Sequence, residues 1–208
     1  MGIKFFQLLS ARQRKEPLTI TALSDIARWK LSAGGIASAD RPVIQIRYGD
    51  TGEWSVYTFE TLITLNKGEK CQLRNLGERF SFGTSKYLSF SCGYTNDRLL
   101  FSGDLLSLVN WRKELPEYCF YRLFYNMKQL TAVPEIPDMP MADNAFAYAF
   151  ANCSILNSLR VRFKTWSGAT NNWVSMISSS GTFYKPSVLP VEKGNSKIPS
   201  GWKVVDID

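Results

Sequence analysis

The chain has 208 residues, enough for one large domain or two small ones, and its net charge of +7 comes from 25 Lys and Arg against 18 Asp and Glu. It has no histidine and none of its four cysteines is spaced as C-x-x-C, which nearly excludes the usual zinc arrangements, while catalysis by paired carboxylates or a Ser–Lys pair stays open. No apolar run reaches the roughly 20 residues of a membrane-spanning helix, so no membrane insertion is expected, while an aromatic share of 13% points to a well-filled core.

The charge is concentrated at the start of the chain. Residues 1–16 carry Lys4, Arg12, Arg14 and Lys15 against Glu16 alone, and the remainder is close to balanced. No internal stretch shows the basic face with interleaved aromatics that a nucleic-acid binder needs, so no nucleic-acid partner is expected. Ile3, Phe5, Phe6, Leu8 and Leu9 form an apolar patch over one or two helical turns, which Pro17 ends. Phe5 to Leu9 is too short for the apolar part of a secretory leader and is followed by charge. The strip reads either as a solvated tail or as a docking peptide. In the second reading Phe5, Phe6, Leu8, Leu9, Arg12, Arg14 and Lys15 are the assembly contacts.

Residues 17–100 carry short strand signals. Leu18-Thr-Ile-Thr-Ala-Leu23 alternates with β-branched residues, and Pro42 to Tyr48 alternates as well. A Gly49-Asp-Thr-Gly52 turn then leads into Trp54 to Phe59 as the returning arm of a hairpin. Leu62 to Leu65, Asn66-Lys-Gly68 and Lys70 to Arg74 repeat that pattern, and further strands lie between Arg79 and Phe101, broken by Gly83 and Gly93. Short strands at about ten-residue spacing predict a small antiparallel β-sandwich.

Residues 101–165 change character. Gly103 to Val109 reads as an entry unit that caps the apolar end of a set of repeats. Tyr118-Cys-Phe-Tyr-Arg-Leu-Phe-Tyr-Asn-Met-Lys-Gln-Leu130 is then echoed, 26 residues on, by Asn144-Ala-Phe-Ala-Tyr-Ala-Phe-Ala-Asn-Cys-Ser-Ile-Leu156. Phe120, Phe124, Asn126 and Leu130 recur as Phe146, Phe150, Asn152 and Leu156. Such a period means stacked supersecondary units with an extended surface. The i, i+4 phenylalanines predict a helical turn or short helix in each unit, with Asn126 and Asn152 bonding backbone in the turn. Pro134, Pro137 and Pro140 forbid long helices between the units. Cys153 stands where the first unit has Met127, which marks a small buried apolar slot, and all four cysteines read as reduced thiols.

Residues 166–208 read as a closing module. Asn171 to Ile177 predicts a short helix with an Asn cap, Ser178 to Phe183 turns into a strand, and Ile198 to Val205 ends as a strand after a Pro-Ser-Gly turn.

Phe124-Tyr-Asn-Met-Lys-Gln-Leu130 with Pro134-Glu-Ile-Pro137 resembles the unit M-F-x-x-C-x-x-L-x-x-x-P-x-L-P of BspA-like leucine-rich repeats. Phe150 to Leu156 is similar, with Cys153 at the family cysteine. Trp173, Ser178-Ser-Ser-Gly-Thr-Phe183 and Lys197-Ile-Pro-Ser-Gly-Trp-Lys-Val204 resemble the module that closes such repeats. Pro17 to Leu23, Tyr48 with Trp54, Ile63 to Lys70 and Phe101 to Leu108 resemble their leading module. The resemblance spans residues 17–208. The chain departs from it in having two clear units, and Met127 in place of the first cysteine. The resemblance implies a surface protein of gut anaerobes or a virion protein of their phages, acting in adhesion or as capsid or tail decoration.

Together these readings predict a mainly β (α+β) fold: an attachment segment (1–16), a β-sandwich (17–100), a leucine-rich-repeat-like region (101–165) and a β cap (166–208). They predict a non-enzymatic phage head or tail fibre or decoration protein, without cofactor. It would dock through its N-terminus to other virion proteins, as a homo-oligomeric trimer or dimer. The alternative is a bacterial cell-surface adhesin, which requires export. Asp50 with Glu53 and Asp138 with Asp143 read as turn and connector residues, not as catalytic pairs. If the protein meets a host glycan, exposed rings are the expected contacts, because sugar faces stack on aromatic faces. Trp111, Tyr125, Trp166 and Tyr184 are the candidates, and recognition is expected on the residues between the repeated Phe, Leu and Cys/Met positions.

Overall fold

A computed structural model describes residues 15–207. Phe5, Phe6, Leu8, Leu9, Arg12 and Arg14 lie outside these residues. Lys15, the first described, is exposed, with its ammonium 5.4 Å from the Trp111 ring centroid.

A period of two in apolar residues organises the first half, because alternate side chains on a strand face the same side. Strand β1 (Leu18–Ala22) buries Leu18, Ile20 and Ala22, β2 (Ile26–Gly34) buries Ala27, Trp29 and Leu31, and β3 (Ile44–Tyr48) buries Ile44 and Ile46. The same alternation runs through β5 (Ile63–Asn66), β7 (Tyr87–Cys92) and β8 (Leu99–Ser102). With β4 (Ser55–Val56), β6 (Lys70–Asn75) and β9 (Leu130–Ala132) these make a six-stranded sheet of order β4-β3-β6-β1-β8-β9 and a three-stranded sheet of order β5-β2-β7. All pairings are antiparallel except β8 with β9. The two sheets enclose one core, where Phe90 of β7 meets Phe101 of β8 at 5.2 Å between ring centroids.

Two local expectations change. The hairpin of β3 and β4 forms, pairing Gln45 with Val56. The second pattern is no hairpin: β5 pairs with β2, while β6 pairs with β1 and β3 in the other sheet. The turn at Lys67–Glu69 therefore carries the chain from one layer to the other, with Gly68 at φ 82°. Strand β2 is an element not expected from sequence, although Ala27, Trp29 and Leu31 alternate.

In the second half the phenylalanine spacing has a cause other than an α-helix. Residues 118–127 run as a ribbon of linked turns. The N–H groups of Tyr121, Leu123, Tyr125 and Met127 close turns on the carbonyls three residues back. The intervening N–H groups of Phe120, Arg122, Phe124 and Asn126 instead donate to Ala145, Ala147, Ala149 and Ala151 of the next ribbon, at 2.7–3.0 Å. That ribbon repeats the scheme, with Phe146, Tyr148, Phe150 and Asn152 donating to Ala169, Asn171, Trp173 and Ser175. Every second donor thus serves its own turn and every other one the neighbouring rung, which leaves these buried N–H groups satisfied.

The ribbon repeats every four residues. Positive φ recurs at Tyr118, Arg122 and Asn126, then at Asn144, Tyr148 and Asn152, then at Asn172 and Met176. Asn126 (φ 61°) and Asn152 (φ 63°) therefore suit their positions by tolerating the left-handed conformation. Residues 171–177, expected as a capped helix, belong to the third rung. The cap lies one element earlier, where Ser167 Oγ accepts from Ala169 N–H at 3.2 Å and caps the 3-10 turn Gly168–Thr170.

Between the ribbons run short parallel strands. β10 (Ser158–Arg160), β11 (Thr182–Lys185) and β12 (Lys203–Asp206) form a three-stranded parallel sheet. Single bridges join Leu115 to Met141 and Ile136 to Val161. The chain is thus mainly β, and its helical segments among the described residues are short 3-10 turns at Ser38–Asp40, Leu105–Val109 and Gly168–Thr170. The Leu105–Val109 turn seats on the six-stranded sheet. There Ser107 Oγ accepts from Leu18 N–H at 2.8 Å and donates to the Leu73 carbonyl at 3.1 Å.

Sandwich and coil share one core. Phe124 packs on Phe90 at 5.5 Å, on Phe101 at 4.8 Å and on Phe150 at 5.8 Å, and Phe150 meets Trp173 at 5.8 Å. The backbone joins them too, through Phe90 N–H to the Leu123 carbonyl at 2.8 Å.

Candidate binding face

The four-residue period sorts the ribbon side chains into two faces. Phe120, Phe124, Phe146 and Phe150 are at most 1% exposed and fill the core. The residues of positive φ reach the outer face: midway between the phenylalanines, Arg122 and Tyr148 are half-buried, while Tyr121, Leu123, Ala147 and Ala149 beside them are buried.

On this face the tyrosines and asparagines of successive rungs interlock. Asn144 Nδ2 donates to the Tyr118 hydroxyl at 3.5 Å, Asn171 Nδ2 to Asn144 Oδ1 at 3.3 Å, and Asn172 Nδ2 to the Tyr148 hydroxyl at 3.4 Å. Tyr121 contacts Tyr87, Tyr118 and Tyr148 edge to face, at 5.4, 5.7 and 6.0 Å. Beside it, an open depression of about 360 Å³ is lined by Asp143, Asn144, Ser167, Gly168, Asn171 and Ser196.

Arg122 sits at the centre. Its guanidinium carbon lies 4.8 Å from the Tyr125 ring centroid, 5.2 Å from Tyr121, 5.6 Å from Tyr87 and 5.9 Å from Tyr148. One guanidinium nitrogen donates to the Tyr87 hydroxyl at 3.4 Å, whereas Nε is buried with no acceptor among the described residues. Burial acts to lower its pKa, but the Tyr87 hydroxyl and the surrounding tyrosines outweigh that, and the group shifts upward. Burial raises the Tyr121 hydroxyl against the pull of Arg122, so at neutral pH the ring is uncharged beside a full cation. Chemically the face offers flat apolar rings, amide and hydroxyl donors and acceptors, and one guanidinium.

The four rings named from sequence do not meet. Tyr125, 37% exposed, lies on this face against Arg122. Trp111 is half-buried under Lys15. Trp166 packs against Phe163, Trp173 and Phe183 and donates from Nε1 to the Pro190 carbonyl at 2.9 Å, so it builds the closing core. Tyr184 lies on the parallel sheet with Arg160 over its ring at 4.9 Å. Sequence reasoning missed Tyr87, Tyr118, Tyr121, Arg122 and Tyr148. The signal was the residue midway between the paired phenylalanines, Arg122 in one repeat and Tyr148 in the next.

A larger concavity, about 680 Å³, lies on the outward face of the six-stranded sheet. Its charges are largely spoken for: Arg47 donates to Gln72 Oε1 at 2.6 Å, and Lys70 pairs with Asp50 at 2.6 Å. Asp138 pairs with Lys164 at 3.0 Å. Among the described residues no group of three or more Cys, Asp or Glu side chains is arranged to hold a metal ion, and no helix is long and apolar enough to cross a membrane. Compared with known proteins, the chain matches no family model, no curated protein and no solved structure.

Proposed function

We propose that this is a non-enzymatic structural and recognition protein of a phage particle, a head or tail fibre or decoration. Residues 1–16 attach it, and the stacked ribbons present the tyrosine–arginine–asparagine face to a glycan on the host surface. The observation that carries the recognition half is that face: ring planes and amides held in register across three rungs by backbone hydrogen bonds. Rings stack on sugar faces while amides and hydroxyls meet sugar hydroxyls. The attachment half rests on the apolar-basic strip and on the resemblance to BspA-like leucine-rich repeats, whose repeat-and-cap arrangement is proposed for residues 101–208.

Both halves are read in one experiment on particles carrying variant protein. Deleting residues 2–16 is expected to abolish incorporation while the remaining protein stays folded. Tyr125→Ala with Tyr148→Ala is expected to leave incorporation intact and lower adsorption to host cells by about fivefold to a hundredfold, the loss of two ring contacts of about 0.5–1.5 kcal/mol each. Normal incorporation of the truncated protein refutes attachment through this segment. Unchanged adsorption by the double variant refutes the face. Light scattering reads the dimeric or trimeric state expected of a fibre.

A further inference from the structure

We infer that Arg122 makes this face selective for acidic sugars: the ligand carries a carboxylate on a sugar ring, which the guanidinium takes while neighbouring rings and amides hold the sugar. This rests on the glycan reading of the face and adds the charge of its ligand.

Among the described residues Arg122 has no carboxylate partner. Its side-chain contacts are four tyrosine rings and one long hydrogen bond to the Tyr87 hydroxyl. Several other cations of this half are paired, Arg160 with Glu135, Lys164 with Asp138, Lys185 with Asp206 and Lys197 with Glu192, and among the described residues only Arg122 has its guanidinium ringed by four tyrosines. A guanidinium is weakly hydrated, stacks on rings and presents a planar donor fork that fits a carboxylate. Tyrosine rings can hold the cation without neutralising it, so its charge remains available to an incoming anion.

The position is also fixed. Arg122 has φ 55°, and its backbone is held on both sides, its N–H donating to the Ala147 carbonyl at 3.0 Å and its carbonyl accepting from Tyr125 N–H at 3.1 Å. The guanidinium is thus carried on a locked backbone, which lowers the entropic cost of binding. The Asn144–Asn171 side of the patch, with Asp143, Ser167 and Ser196 in the depression, supplies donors and acceptors for the hydroxyls of the rest of a sugar.

The test is calorimetric titration of the intact protein with an oligogalacturonate, with its fully methyl-esterified form and with polyglutamate. The acid form is expected to bind, and the ester, which keeps the rings but loses the charge, about tenfold or more weakly. Arg122→Gln, with its fold checked by circular dichroism, is expected to remove that difference, and Arg122→Lys to restore it in part. Equal binding of acid and ester, unaffected by Arg122→Gln, overturns the acidic-sugar assignment while leaving the glycan reading standing. Binding of neither sugar overturns both. Polyglutamate binding as tightly as the sugar acid overturns the sugar and makes the face a site for acidic peptide.

Discussion

Cys71 and Cys119 are buried and Cys92 half-buried, and burial pushes each thiol up to about 12. Burial also raises Cys153, whose Sγ donates to the Phe124 carbonyl at 3.0 Å. The phenol of Tyr57 is raised to about 12, first by burial, while its oxygen accepts from Leu31 N–H at 2.9 Å and its hydroxyl donates to the Thr61 carbonyl at 2.7 Å. All these groups are neutral when protonated, and folding retains protons that the unfolded chain releases from about pH 9 upward. The folded state then binds more protons than the unfolded one, so stability must fall as pH rises. Denaturant midpoints are expected to be flat in this respect below pH 9 and to drop progressively between 9 and 12. A midpoint constant up to pH 11 would contradict the burial of these groups. Of the thiols, the burial of Cys153 was legible in sequence, from its exchange with Met127. Tyr57 was not, because its partners come from β2 and from the loop after β4.

Each turn ribbon shows how a four-residue period imitates a helix. Phe120 and Phe124 recur at i, i+4 because each full cycle of the ribbon returns a side chain to the core, and nothing in that spacing separates it from the 3.6-residue period. The distinguishing marks were local. Asparagine closes each of the first two ribbons, at Asn126 and Asn152, and alanine alternates with larger residues at positions 145–151, where a helix would have no reason for a period of two. The third rung is hidden in the sequence because its offset shortens: positive φ passes from Asn126 to Asn152, 26 residues on, but from Asn152 to Met176, only 24 on. The sandwich strands read more easily, since one buried face writes itself directly into alternation. What alternation could not say was which strands pair, and β5 and β6 diverged for that reason. The ribbon predicts an order of substitutions at Asn152. Asn152→Gly should lie within a few tenths of a kcal/mol of the parent, because glycine enters the left-handed region freely. Asn152→Val should cost about 1–2 kcal/mol, since branching at Cβ is poorly tolerated there. Equal denaturation midpoints for the two variants would argue against the four-residue turn scheme.

For the molecule as a whole, the continuity of the core sets how it unfolds. Phe124 touches rings from β7, from β8 and from the next rung, so sandwich and coil are not energetically independent. Phe124→Ala is expected to cost about 3–5 kcal/mol, as for large aromatic truncations in a packed core. Amides of β1 and β11 should lose hydrogen-exchange protection together, in one step, in parent and variant alike. Separate steps would mean that the shared rings couple the two parts weakly.

The rung-to-rung hydrogen bonds have a consequence for evolution of the surface. Each rung asks of its neighbour a row of backbone carbonyls and a matching row of core rings, so a duplicated rung inserted between two existing ones finds the same docking terms on both sides. Growth would then come in fixed increments of about 4.8 Å, the distance between hydrogen-bonded neighbours. The outer row would lengthen like a ruler gaining graduations, and the length of chain it could grip would be set by copy number, without redesign of any single contact.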